Sequence, residues 1–278
     1  MLVTMSRELG DSVNREIRQS PDAATRRHLI NVLARSHARA CQIAEEILTL
    51  LEAGFADGSM ARWRTMHEIA VVASFFAAHG EDLAERYVLY TAVESKRAAD
   101  EYQKCQPRLG YEPLPVKEIQ AVQKAYEAAI SKYGPEFAKG DYGWACHHFG
   151  KTKPTFKDIE AAVQVDHFRA HYRLASHNVH ANPKGVFFAL GMLPETQVLL
   201  AGPSNAGLAD PGHGAAISLS RVTAALVGLQ RPPTLDNNVA LLMVVQLVDE
   251  IGEAFGDAHE RLEADDAALR PARATRTR

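Results

Sequence analysis

The stretch FRAHYRLASHNVHANPKG, Phe168 to Gly185, carries the residue types that phosphodiester chemistry uses. Metal-free cleavage of an RNA strand has the ribose 2′-OH attack the adjacent phosphate. A histidine titrating near neutrality can move the proton, and an arginine can hold the charge that develops on the phosphoryl oxygens. With His180 at the origin of a helical wheel, Arg169, Arg173 and Ser176 fall within about 40° of it and His177 at about 60°. Tyr172 stands at the edge, about 80° away. Arg173, Ser176 and His180 therefore share one face near the helix C-terminus. His167 and His171 form a separate i, i+4 pair whose plain reading is a solvated face.

A second polar set lies upstream, in ARWRTMHEIAVVASFF. With Glu68 at zero, Arg64 lies at about -40°, Val71 at about -60°, Val72 at about +40° and Phe75 at about -20°. An arginine and a glutamate therefore share an apolar face, one turn apart. Buried charges cost several kcal/mol unless paired, so the pair is either an internal tie between helices or the lining of a wet cleft. His67 and Arg62 point elsewhere. On the next helix, Leu83, Tyr87 and Tyr90 make a stripe whose next member is Glu94. Glu68 is suited to orient His180 or Arg173 from a neighbouring helix. Arg64, Glu68 and at least one of Arg173, Ser176 or His180 should then lie within hydrogen-bonding or one-water reach.

Helices must position these residues, and the chain reads as helical almost throughout. Leu29, Val32, Ile43, Ile47 and Leu51 give an apolar stripe from Asp22 to Ala53. GFADGS breaks it. A second helix follows to His79–Gly80, and a third from about Glu81 to Cys105. The QPRLGYEPLP linker, with three prolines, leads to a helix from Val116 to Tyr133. Thr155, with Asp158 at the capping-box offset, opens a long helix that carries Phe168 to His180. GVFFALGMLPETQVLLAG predicts a small β-hairpin around a PETQ turn. GPSNAGLADPGHG reads as a polar connecting loop. Helices over about 215–230 and 234–264 close the fold. The fold class is mostly α, a multi-helix bundle with one small β-hairpin near residues 185–202. The domains expected are an N-terminal helical segment over 1–55, a main helical domain over 56–264, and a mobile basic tail over 265–278.

Composition narrows the classes. The 278 residues are 46% hydrophobic and 23% charged, with a net charge of -3, so no global basic field announces nucleic acid. Three cysteines without CxxC spacing suggest neither a disulfide framework nor a zinc knuckle. The longest largely apolar run, Ile69 to Ala78, is about half the roughly 20 residues a membrane span needs. The N-terminus lacks an apolar h-region. A cytoplasmic protein with no membrane contact is expected. No HExxH or ExxH spacing occurs, so no metal or other cofactor is expected. YGWACHHFG groups aromatics with histidines and reads as packing against the bundle; Cys146 has too few cues to be a nucleophile.

Two resemblances add to this reading. RTMHE on an early helix, followed far downstream by YRLASHNVHA and GPSNAGLADP, resembles a bacterial family of helical proteins known only as a domain of unknown function, over roughly Met60 to Leu226. The Arg173–His180 spacing is similar to the R-x(4–6)-H motif of the HEPN superfamily, although Leu174 follows the arginine where that superfamily usually has a polar residue. The second resemblance implies a metal-independent ribonuclease or RNA-binding protein of bacterial defence or toxin type, with His180 as acid or base, Arg173 as phosphate clamp and Ser176 or Tyr172 as an orienting hydroxyl. It would act as a homodimer, with RNA as substrate and an antitoxin or neighbouring-gene protein as partner. The rival expectation is a non-catalytic helical module binding a protein or small ligand beside Arg64, Glu68 and Glu94. A metal hydrolase using Glu68, Glu94 and His180 ranks third.

Overall fold

Apolar side chains ring nearly the whole circumference of one helix, Ala56–His79, and that helix sits at the centre of the bundle. The computed structural model describes the chain apart from Ala181, residues 194–198, residues 277–278 and the side chains beyond Leu269. Among the described residues the α-helices are α1 (Leu2–Gln19), α2 (Arg27–Glu52), α3 (Ala56–His79), α4 (Glu81–Leu109), α5 (Val116–Tyr133), α6 (Cys146–Phe149), α7 (Phe156–Ala162), α8 (Arg169–Val179), α9 (Pro183–Phe187), α10 (Ala209–Val227) and α11 (Leu235–Arg276). Trp63, Met66, Ala70, Ala73, Phe75 and Phe76 of α3 are all buried. A helix that is apolar on every side has to be enclosed, and α2, α10 and α8 enclose this one. Each such aromatic or aliphatic side chain contributes about 1.5–3 kcal/mol on burial. The α3–α10 contact is close because Gly214 leaves room for Trp63: a Cβ there would stand 2.7 Å from the indole nitrogen. That nitrogen donates to Ser218 Oγ at 3.2 Å.

Leu2, Leu9, Val13 and Ile17 bury the inner face of α1 against the same core that α2, α3 and α10 share. This helix falls within the N-terminal helical segment expected over 1–55, although the apolar stripe read from the sequence begins only at Asp22.

Three expectations need correction. The long helix from Thr155 is two helices. Thr155 and Asp158 do form the capping box, but α7 stops at Ala162 and Gln164 takes a left-handed backbone with φ 56°. The turn buries Val165, packs Phe168 against the core and restarts the chain as α8. The β-hairpin near 185–202 is not found among the described residues, and its PETQ turn, residues 194–197, lies outside them. Its backbone finds other partners. Asn182 caps α9 by accepting from Gly185 N at 2.9 Å, Asp57 accepts from Leu190 N at 3.0 Å, and Ser204 N donates to Gly54 O. Finally, Glu94 is exposed rather than inward. Val93 is the last buried residue of α4; beyond it the helix leaves the bundle and pairs with α5.

The connector GPSNAGLADPGHG is half helix, because α10 begins at Ala209. No helix among the described residues is long and apolar enough to cross a membrane.

Candidate functional site

α3 and α8 lie side by side, and the polar residues on their facing sides close a ring. Arg64 donates from Nε to Ser176 Oγ at 3.1 Å and from Nη2 to the Tyr172 hydroxyl at 2.6 Å. Tyr172 in turn donates to Glu68 Oε1 at 2.5 Å. Arg64 Nη1 meets the same carboxylate oxygen at 3.1 Å. Ser176 donates to the Tyr172 carbonyl at 2.8 Å. The guanidinium also lies over the Tyr172 ring, 4.6 Å from its centre. The spacing explains the convergence: Arg64 and Glu68 stand one turn apart on α3, Tyr172 and Ser176 one turn apart on α8, so the two rows mesh. Charges on an apolar face are tolerated because every one is bonded.

Burial, and then the bond to Glu68, push the Tyr172 phenol above its ordinary value. The Tyr142 phenol is also raised, by burial first and then by Glu68. Both hydroxyls stay protonated at neutral pH, so Tyr172 serves as a donor to Glu68 rather than as a base.

A second network lies behind the first, and no wheel or motif pointed to it. Glu160 of α7 is fully buried. Its carboxylate pairs with Arg169 and lies 3.3 Å from His67 Nε2. Burial raises Glu160 and the Arg169 guanidinium opposes the shift. Burial holds His67 down to about 4, helped by the charges of Arg221, Arg169 and His167. His67 is thus a neutral imidazole packed among Trp63, Phe156, Phe168 and Tyr172. The left-handed turn at Gln164 is what brings Arg169 back onto Glu160. The expectation that His67 points away from the polar face of Arg64 and Glu68 is met, but it points into the core.

Of the expected site residues, Arg64, Glu68, Tyr172 and Ser176 come together. Arg173 and His180 do not join them. Both are exposed, and neither side chain has a hydrogen bond or ion pair among the described residues. Ser176 faces inward while Arg173 faces out, and His180 ends α8 in an extended conformation. Glu94 lies on the exposed side of α4, so the ligand set Glu68, Glu94 and His180 is not assembled. Among the described residues no group of three or more His, Cys, Asp or Glu is placed to hold a metal ion.

Past His180 the chain turns sharply into α9. Asn182 Nδ2 lies 2.9 Å from His177 Nδ1 while its carbonyl caps α9. Gly185 is required there, since a Cβ would stand 2.0 Å from the His177 carbonyl oxygen. The turn leaves Lys184 exposed and Phe187 89% exposed, with Phe188 beside it at 44%. From Phe168 to Ala189 the chain has no acidic residue.

A family model described as a family of unknown function (DUF5677) matches residues 30–193. The match takes in α2, RTMHE and YRLASHNVHA, and ends before GPSNAGLADP, an earlier span than the one expected from the motifs. No curated protein and no solved structure matches the chain.

Proposed function

We propose that this chain, which belongs to the DUF5677 family of unknown function, binds single-stranded RNA at the α8–α9 end and cleaves it with His180 and Arg173. One observation carries the reading: a stretch free of acidic residues, Phe168 to Ala189, in which Arg173, His180 and Lys184 are exposed and so are Phe187 and Phe188. Single strands are held by cations along the backbone and by aromatic rings on which bases stack. His180 then moves the proton of the 2′-OH or of the leaving oxygen, and Arg173 holds the phosphoryl charge. Arg64, Glu68, Tyr172 and Ser176 brace α8 from behind and touch no substrate; they are positioning residues. In the HEPN-like arrangement two copies face each other. α11 favours a second copy, because Leu235, Val239, Leu242 and Met243 leave an apolar row uncovered. An antitoxin-like or neighbouring-gene protein would cover the same basic end.

The second reading, a non-catalytic helical module that binds a protein partner or small ligand, is favoured by the closed ring at Arg64, whose bonded hydroxyls and carboxylate tie two helices together and are not free for chemistry. A mixed RNA pool incubated with EDTA separates the two. His180→Ala and Arg173→Ala should each slow cleavage about 100-fold or more with the thermal midpoint unchanged, since both residues are exposed and unpaired. Binding without cleavage by the wild type leaves the second reading standing. No binding even at low salt removes RNA and leaves only the module that binds a protein or small ligand.

A further inference from the structure

On the opposite side of Phe168, where α11 crosses α3 and α10, lies a cavity of about 340 Å³. That is at the lower end of small-molecule sites, roughly 300–1,000 Å³. Its lining is unusual for a helix crossing. Trp63, Phe168 and Phe255 supply three aromatic walls, while His171, His213 and Asp210 supply ring nitrogens and a carboxylate. Glycines seat these walls. The Phe255 ring lies on Gly212, where a Cβ would be 2.3 Å from it, and the His213 imidazole lies on Gly252, where a Cβ would be 2.7 Å away. Gly256 also lines the cavity, and a Cβ there would meet nothing within 4 Å. The space in front of it is open.

A charge waits at the edge. Arg221 stands one helical turn beyond the cavity-lining Ile217 on α10, with its guanidinium over the Phe168 ring at 5.9 Å. It is half-buried and has no hydrogen bond and no carboxylate partner among the described residues. Burial holds it below its ordinary value, but an arginine keeps its proton. Its nitrogens touch solvent but pair with no anion among the described residues, and a phosphate at this point would supply charge-assisted hydrogen bonds. Arg64 and Arg169, by contrast, each already have a carboxylate.

We propose that this cavity binds a mononucleotide-sized ligand, its base among Trp63, Phe168 and Phe255 and its phosphate at Arg221. The aromatic walls take the π-face of a base. The Asp210 carboxylate can accept from a ring or exocyclic N–H, which each of the four common bases presents. The site is independent of the α8–α9 surface and does not require that surface to cleave RNA.

Calorimetric titration of the full chain with AMP, GMP, CMP and UMP tests it, alongside two substitutions. The wild type should bind at least one of the four nucleotides at one per chain. Gly256→Leu grows a side chain into the open space and should weaken binding by about tenfold or more. Its fold is safe, because a helix-interior glycine gives way to a better helix former. Arg221→Gln should weaken the nucleotide but leave the matching nucleoside unchanged. No heat with any of the four nucleotides, or undiminished binding by Gly256→Leu, overturns the proposal. So does an Arg221→Gln variant that loses nucleoside and nucleotide alike.

Discussion

Arg64 shows how a charge persists on an apolar helix face. Its three donating nitrogens reach Ser176, Tyr172 and Glu68, and the Tyr172 hydroxyl joins the cation to the anion. Removing that hydroxyl strips one bond from each neighbour while the ring still fills its place. Tyr172→Phe should therefore cost about 1–2 kcal/mol in urea unfolding, and an unchanged midpoint would mean that water replaces the hydroxyl. Titration tests the deeper residues. His37 and His67 are each held down to about 4, in both cases by burial first. Between that value and the ordinary 6.5 the unfolded chain binds more protons than the folded one. Stability is then fully present above about pH 6.5 and lost as pH falls toward 4. Each histidine should contribute on the order of 2–3 kcal/mol to that loss. Glu160 acts the other way: its raised folded value gives stability that is present below 4.5 and lost as pH rises through the raised value. Two histidines outweigh one carboxylate, so urea midpoints should drop between about pH 6.5 and 5. A flat profile would show that the imidazoles reach water.

At the scale of elements, the α8–α9 turn decides whether the basic end has a fixed shape. Asn182 does two things with one amide: its carbonyl caps Gly185 N and its nitrogen meets His177. Asn182→Ala should cost about 1 kcal/mol locally, and amide exchange over residues 185–188 should quicken while α3 and α10 stay protected. Uniform quickening across the bundle would instead make the cap part of the global fold. The break between α7 and α8 works in a similar way. Thr155 and Asp158 made the start of α7 readable, whereas nothing in VQVDHF announced its end. The stop is set by Val165 entering the core and by Arg169 folding back on Glu160, which are tertiary events.

For the whole molecule, α11 is the side of the packing that leaves apolar residues uncovered. Val244, Leu247 and Val248 bury one face, while Leu235, Val239, Leu242 and Met243 lie on the other, with Leu235 77% exposed. A row of this kind is costly in water unless another surface covers it. Leu242→Glu should shift sedimentation from dimer to monomer with the bundle intact. A wild type that sediments as a monomer at all concentrations would remove the second copy from the proposed cleavage site.

The helical class was readable from the sequence because apolar residues recur at helical spacing along α2, α3 and α5, a local property of the chain. The pairing of Arg64 with Glu68, and its need for partners on a second helix, was readable for the same reason: four residues is one turn. What the tertiary structure decided was which partners answered. It chose Tyr172 and Ser176 over Arg173 and His180, because α8 ends at Val179 and presents only its inner row to α3. It placed Glu94 outside, because α4 runs past the bundle. It also built the His67–Glu160–Arg169 network, which joins residues 93 and 9 positions apart. No spacing rule along one helix can express a contact made by a left-handed turn and a long-range approach.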